Sequence, residues 1–241
     1  MASAELEALL AVQELDTAID QNQHRRATLP ERSELAAVDQ SIAALGADLA
    51  AATASRDEIA GRQEEAEAEL ASTEGRRDAV QRRLYSGEVR ASRDLQALAG
   101  DVDVLGARIS GLEEQILTLM EEREPFDARV GELSEQMSAL TERRTVAAEA
   151  LARAEEKLAA ELAGHQARRR EVAAGVPGDL LATYDRLRVR RDGVGAARLV
   201  GDRCNGCHLT LPATELDRIR RLPPGEVVTC DQCGRILVPG G

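Results

Sequence analysis

Four cysteines, all that the chain contains, fall in two C-x-x-C pairs: Cys204-Asn205-Gly206-Cys207 and Cys230-Asp231-Gln232-Cys233. A C-x-x-C turn lets two thiolates converge on one ion. Two such turns complete a tetrahedral set with zinc–sulfur bonds of about 2.3 Å. Gly206 and Gly234 are expected to ease the backbone at each turn. The gap of 22 residues between the pairs slightly exceeds the usual spacing of roughly 15–20, and a short helix within PATELDRIRRL, from residue 212, accounts for the excess. The expectation is one structural zinc ion held by Cys204, Cys207, Cys230 and Cys233. Such a closed site leaves no open coordination position, so the ion contributes folding energy and no catalysis.

Rival readings of the same residues fit less well. Four incidental buried cysteines would have no reason to be paired. C-N-G-C-H, residues 204–208, matches the attachment signature of c-type haem, but haem would leave Cys230 and Cys233 without a role and calls for export. A thioredoxin-like redox pair needs βαβ surroundings that neither pair has. His208 as an alternative ligand is unnecessary beside four thiolates. The rest of the chain offers no phosphate loop, nucleophile elbow or H-E-x-x-H, and His24, His165 and His208 lie far apart in sequence. The expected class is not an enzyme.

Positioning the cysteines falls to a chain whose composition excludes a single large aromatic core, with one Phe, two Tyr and no Trp among 241 residues. A charged fraction of 31%, with Ala, Leu, Glu and Arg dominant, is the profile of long amphipathic helices. From Leu35 to Leu84 a repeat with alternating steps of three and four is apolar at eleven of fifteen positions; from Leu95 to Val172 it is apolar at eighteen of twenty-three. The polar members Arg123, Arg144, Glu161, His165 and Arg168 read as register-setting or fraying positions. Ala8, Val12, Leu15 and Ile19 supply a first helix. Thr28 and Glu31 suggest a capping box, with Pro30 in the first turn of the next helix. Gly87 can take a left-handed turn at a hairpin tip, Ser92 can cap the returning helix, and Pro125 reads as a kink rather than an end.

The expected fold is mostly α: a long antiparallel coiled-coil helical hairpin plus a small carboxy-terminal zinc ribbon of short β-strands with a short helix. The hairpin occupies 1–175, with helices over about 2–27, 31–84 and 93–172 and a tip loop at 85–92. Residues 176–241 hold a docking helix and the ribbon. Pro177 opens that docking helix, whose Leu180, Leu181, Tyr184 and Leu187 share a face, and HLTLP, EVVT and RILV read as strands.

The formal charge of −12 is unevenly shared: residues 1–175 hold 35 acidic and 21 basic side chains, residues 176–241 hold 8 and 10. An acidic stalk repels phosphate backbones, so any nucleic-acid contact belongs to the carboxy-terminal part or a local patch. Lys157 is the only lysine, read as an arginine-rich codon bias. The amino terminus lacks a basic n-region and an apolar h-region, and no run of about 18 apolar residues occurs, so a soluble, cytoplasmic protein is expected. In a reducing compartment paired cysteines favour metal over disulfides.

LYSGEVRASRDLQALAGDV at 84–102, YDRLRVRRDGVGAA at 184–197, CNGCHLTL at 204–211 and CDQCGRILV at 230–238 together resemble the bacterial family of coiled-coil proteins with a carboxy-terminal four-cysteine zinc ribbon. The resemblance spans nearly the whole chain and implies a helical hairpin with the four cysteines as zinc ligands. It further implies adaptor or chaperone roles, which in that family involve an alternative sigma factor, a transcript, or components of flagellar and type III export. Two departures stand out: Arg93 where a lysine is common at the tip, and RILV where an aromatic is common at the end of the ribbon.

Two functions follow as expectations. The first is a protein-binding scaffold whose tip, with Tyr85, Val89, Arg90 and Arg93, or whose ribbon captures a partner, since aromatic and Arg side chains favour binding hot spots. The bland reading of those residues is a capped turn with solvated charges. The second is nucleic-acid binding through Arg188, Arg190, Arg191, Arg218, Arg220 and Arg221. Seven acidic residues from Asp185 to Asp231 and the absence of aromatic platforms weigh against it. The seams permit a monomer or a homodimer.

Overall fold

The computed structural model describes residues 4–223 and 226–239; the expected helix start at residue 2 and the expected end of the ribbon domain at 241 lie outside them. In chain order the elements are α1 (Ala4–Ala27), α2 (Pro30–Tyr85), α3 (Ser92–Ala173), α4 (Gly178–Arg190), β1 (Ala196–Val200), β2 (Arg203–Cys204), α5 (Ala213–Arg221), β3 (Val228–Thr229) and β4 (Ile236–Pro239). Contacts group them into two compact units, Leu35–Val146 and the residues on either side of it. The expected division at residue 175 follows the chain. Packing instead puts α1 and the last turns of α3 with the ribbon.

Leu35–Val146 is the hairpin formed by α2 and α3. Its helices run antiparallel, as the pairs Arg144–Asp39 (2.6 Å), Arg123–Gln63 (2.9 Å) and Arg108–Glu69 (3.0 Å) require. Every position of the first seam is buried or half-buried, and in the second only Arg144 and Arg168 are exposed. Ile109, Leu112, Leu119 and Leu133 are the most deeply buried of this unit's α3 residues. Arg123 bonds Gln63, itself a seam position, so two polar seam residues pair across the hairpin. α3 continues through Pro125.

An 18-residue window within α1 and α2 reaches a mean hydropathy of 1.3, enough by length and composition alone to cross a bilayer. No uninterrupted apolar run of that length accompanies it, because Asp39, Gln40, Ser41 and Asp48 break the alanine- and leucine-rich stretch that starts at Leu35.

Two expected caps do not form. The Thr28 hydroxyl donates back to the His24 carbonyl (2.9 Å), while the Leu29 carbonyl accepts from Arg32 N–H (3.2 Å) at the start of α2. A capping box needs the hydroxyl to turn forward, and Thr28 lies one residue too early because Pro30 takes the first helical position. At the tip Gly87 is left-handed (φ 77°) as expected, but Ser92 is already helical and the Ala91 carbonyl accepts from Asp94 and Leu95.

The other unit is built on a four-stranded sheet of order β2-β1-β4-β3, in which β1 and β4 are parallel and the outer pairs antiparallel. Side chains alternate along β1 and β4, so the sheet has two apolar faces. Ala196, Ile236 and Val238 face α1 and α4 through Leu6, Leu9, Val12, Leu180 and Tyr184. Ala197, Leu199 and Leu237 face α5 and the cysteines. Of the expected strands RILV forms from Ile236 and EVVT only over Val228–Thr229, whereas HLTLP contributes only an isolated bridge, Thr210 to Arg203; there the chain is still turning around Cys207. β1, one of the two central strands, was not expected.

The docking helix behaves as its pattern predicts, with Leu180 and Tyr184 buried and Leu181 and Leu187 packed beside them. α1 buries more than the expected Ala8/Val12/Leu15/Ile19 stripe, because it packs on the sheet as well as on helices. Its polar residues make specific bonds. The Gln13 amide donates to the Gly193 carbonyl (3.0 Å) and accepts from Gly195 N–H (2.7 Å), completing the backbone bonding where β1 begins. Asp16, 2% exposed, accepts from Arg169 (2.6 Å) and from the Tyr184 hydroxyl (2.8 Å). Glu7 takes the Arg198 guanidinium in a two-pronged pair (2.9 and 2.6 Å). Burial and donation to the Asp16 carboxylate both push the Tyr184 phenol well above its ordinary range.

Leu112, fully buried on the seam, is expected to cost about 2–5 kcal/mol when truncated to Ala. Removing the exposed Arg144 by Arg144→Ala should cost under about 1 kcal/mol. Denaturant titration followed by far-ultraviolet circular dichroism separates the two.

Candidate metal centre

The two cysteine pairs occupy equivalent turns. Cys204 ends β2 and Cys230 follows β3, so a strand delivers the first thiol of each pair, and a tight turn brings the second. In both turns the residue after the second cysteine is left-handed, His208 (φ 61°) and Gly234 (φ 72°). Its N–H donates to the carbonyl of the first cysteine, His208 to Cys204 at 2.8 Å and Gly234 to Cys230 at 2.7 Å. The N–H groups of Gly206 and Cys207 point at the Cys204 sulfur, those of Gln232 and Cys233 at Cys230.

This geometry refines what the glycines do. Gly234 supplies the left-handed conformation. Gly206 instead permits close approach, since a Cβ there would lie 2.8 Å from Ala197 Cβ and 2.8 Å from Arg235 Cδ. The position matching Gly234 is His208, a side chain in a conformation that costs L-residues about 1–2 kcal/mol. Sequence reading missed this; aligning C-N-G-C-H on C-D-Q-C-G would have revealed it.

The sulfurs of Cys204 and Cys233 lie 4.0 Å apart, those of Cys207 and Cys230 likewise 4.0 Å, and all four within 4.8 Å of one another. A tetrahedron with arms of about 2.3 Å has edges of about 3.8 Å, whereas a disulfide needs about 2.05 Å. The donor set therefore fits zinc and not a disulfide. His208 is outside the cluster, which among the described residues consists of the four thiols.

Burial pushes the Cys230 thiol up to about 12 and raises Cys204 as well, outweighing the N–H donors. Burial also acts to raise Cys233, but donation from the Arg235 backbone and guanidinium, with the Cys230 and Cys207 thiols, brings it down to about 7. Buried thiolates so close together need a cation, and a divalent metal supplies it. Leu199, Leu211, Ile219, Val228 and Leu237 surround the centre, and α5 presents Ile219 with Leu216 and Leu222 beside it.

The remaining candidate residues are dispersed. Tyr85 is 77% exposed at the end of α2; Val89 is half-buried, and Arg90 and Arg93 are exposed. Three of the six candidate arginines of the ribbon region face carboxylates of their own chain. Arg188 is held by Asp20 (2.6 Å), Arg218 by Glu215 (2.9 Å) and Arg220 by Asp217 (3.9 Å), while the Arg191 guanidinium lies against Gly234. Arg190 and Arg221 are exposed.

Residues 12–192 match the CT398-like coiled-coil hairpin domain, and residues 203–237 match the C4-type zinc ribbon domain. The chain belongs to the CT398-like coiled-coil hairpin family. It is 29% identical over 235 residues to an uncharacterized protein of Mycobacterium tuberculosis, found in strains CDC 1551 and H37Rv, covering 98% of this chain and 95% of that one. A solved structure from Mycobacterium smegmatis is similar with a TM-score of 0.85 at 25% identity, covering 99% of both chains. CT398 from Chlamydia trachomatis (TM-score 0.64, 18% identity, 98% of both chains) and HP0958 from Helicobacter pylori (0.51, 17%, 100% of both) share the fold. The four cysteines thus form the C4 site of a zinc ribbon, with one structural zinc.

Zinc content should be one ion per chain by elemental analysis and should fall sharply in Cys230→Ser. His208→Gly should keep the ion and gain up to about 1 kcal/mol of stability by removing the left-handed strain; loss of zinc in this variant would make His208 a ligand. Protons compete for thiolates, so acidification should release the metal, read as chromogenic chelator signal rising as pH falls.

Proposed function

We propose that this protein is a non-enzymatic adaptor or chaperone-like scaffold, with a zinc-stabilised ribbon and a helical hairpin, that binds a protein partner through the hairpin tip and the ribbon. The observation that carries this is Tyr85. Of the three aromatic residues, Tyr184 is fully buried and Phe126 half-buried, whereas Tyr85 stands 77% exposed where α2 ends. An exposed tyrosine offers a rigid apolar ring with a polar tip, and tyrosine and arginine are enriched among the residues that carry binding energy at protein interfaces. A four-thiolate zinc offers no open position for substrate, which supports a structural role for the ion. The thiol chemistry of the site suits a reducing, cytoplasmic setting, and the matched limbs of the hairpin suit a monomer.

The nucleic-acid reading is the weaker one. Of its six arginines, Arg188, Arg218 and Arg220 face carboxylates of their own chain, and each such pair subtracts from the phosphate contacts available.

Crosslinking and capture from nuclease-treated extract tests the proposal. The intact protein should retain a defined protein partner. Tyr85→Ala, or replacement of 86–91 by a short Gly/Ser turn, should lower its recovery several-fold. Recovery that vanishes with nuclease, or is indifferent to the tip and ribbon, would count against it.

A further inference from the structure

Charge along the hairpin reverses at its tip. Within Leu35–Val146, residues 35–75 hold nine acidic and two basic side chains, and residues 95–146 hold eleven and five. Residues 76–94 between them hold six arginines against Asp78, Glu88 and Asp94. Arg77 is taken by Asp78 (2.7 Å), while Arg76, Arg82, Arg83, Arg90 and Arg93 are exposed and, among the described residues, have no ion-pair partner. Arg82 and Tyr85 line one shallow groove on the last two turns of α2 with Asp78 and Gln81.

Helix stability explains only part of this. Arg82 and Arg83 sit in the last turn of α2, where a cation complements the helix dipole. Arg90 precedes α3 and Arg93 lies in its first turn, where the dipole disfavours positive charge, so helix stability gives no reason for them.

We propose that the tip docks an acidic segment of a partner protein, with Tyr85 as the apolar anchor and Arg82, Arg83, Arg90 and Arg93 as its charge complement. This rests on the adaptor reading above and names the chemistry of the partner. A nucleic acid is the poorer occupant. Its charge continues at one phosphate per few ångströms, and beyond the tip it would run along the acidic limbs within a Debye length of about 8 Å. A peptide can confine its carboxylates to the basic cap.

Fluorescence anisotropy on the full zinc-loaded chain tests this with four labelled probes: a peptide of repeated Glu-Glu-Leu, its Lys-Lys-Leu counterpart, a single-stranded RNA of equal length, and phosphatidylserine vesicles. The acidic peptide should bind more tightly than the other three and weaken with salt. Its affinity should fall at least about tenfold in Arg82→Glu/Arg83→Glu/Arg90→Glu/Arg93→Glu. It should change much less in the equally charged stalk variant Arg62→Glu/Arg108→Glu/Arg129→Glu/Arg144→Glu, with circular dichroism showing both folded. Tyr85→Ala, which removes an exposed ring and leaves the fold alone, should weaken binding several-fold. Equal losses in tip and stalk variants, no loss in either, or tighter tip-dependent binding of RNA or vesicles would each overturn the proposal. Tip-dependent capture of a protein together with no preference for the acidic peptide would overturn the partner chemistry and leave the adaptor role standing.

Discussion

The sulfur tetrahedron is the constraint on which the ribbon depends. Two of its four strands, β2 and β3, have two residues each, too few for ladder bonds and side-chain packing to offset the entropy of ordering them. Both lead directly into first cysteines. Fixing those sulfurs to one ion closes the loops between them and sets the ends of the outer strands, so β1 and β4 can pair in the middle. The apolar face behind the metal then has a floor, and α5 covers it. Metal binding and folding of this face are one equilibrium.

The opposite face of the same sheet is solved without metal. Ala196, Ile236 and Val238 pack on α1 and α4, and several polar groups at that junction are paired specifically: Gln13 with the backbone at Gly193 and Gly195, Asp16 with Tyr184 and Arg169, Glu7 with Arg198. A buried carboxylate such as Asp16 is costly unless charge and hydrogen bonds surround it. Its partners come from α3 and α4, so the site exists only when α1, α3 and α4 are docked together. That gives the junction a definite geometry rather than mere apolar adhesion.

The seams were legible because a coiled coil repeats one local requirement every seven residues, and each position reports its own environment. Arg144 and Arg168 are the exceptions that the pattern itself marked as polar. The cysteines were legible because their spacing encodes a turn. What escaped was whatever depends on distant partners. β1 reads AARLV, without clean alternation, because it is central and buried on both faces, and its parallel partner β4 lies 36 residues beyond its end. Gln13 and Asp16 look like ordinary solvent-facing residues of an amphipathic helix until the sheet is placed against them. Thr28 and Ser92 mislead for a smaller reason: cap signals carry an uncertainty of one or two residues, and a hydroxyl displaced by one position finds a different carbonyl.

Arginine usage takes on a different meaning once these contacts are known. A chain with a single lysine invites explanation by codon bias, yet several inward-facing arginines use what lysine lacks. Arg198 engages both oxygens of Glu7, Arg169 bridges Asp16 and Asp185, and Arg235 reaches the carbonyls of Val194 and Arg191. A planar fork of donors can serve two acceptors at fixed angles, whereas an ammonium supplies a point charge. Basic residues counted along the ribbon sequence therefore overstate its cationic surface, because much of that charge is consumed in joining the ribbon to α1 and in bracing its own loops. At the hairpin tip the arginines have no such internal work. The same residue type thus braces the fold in one region and, among the described residues, is left largely without carboxylate partners in the other, and only the placement of carboxylates around it tells which.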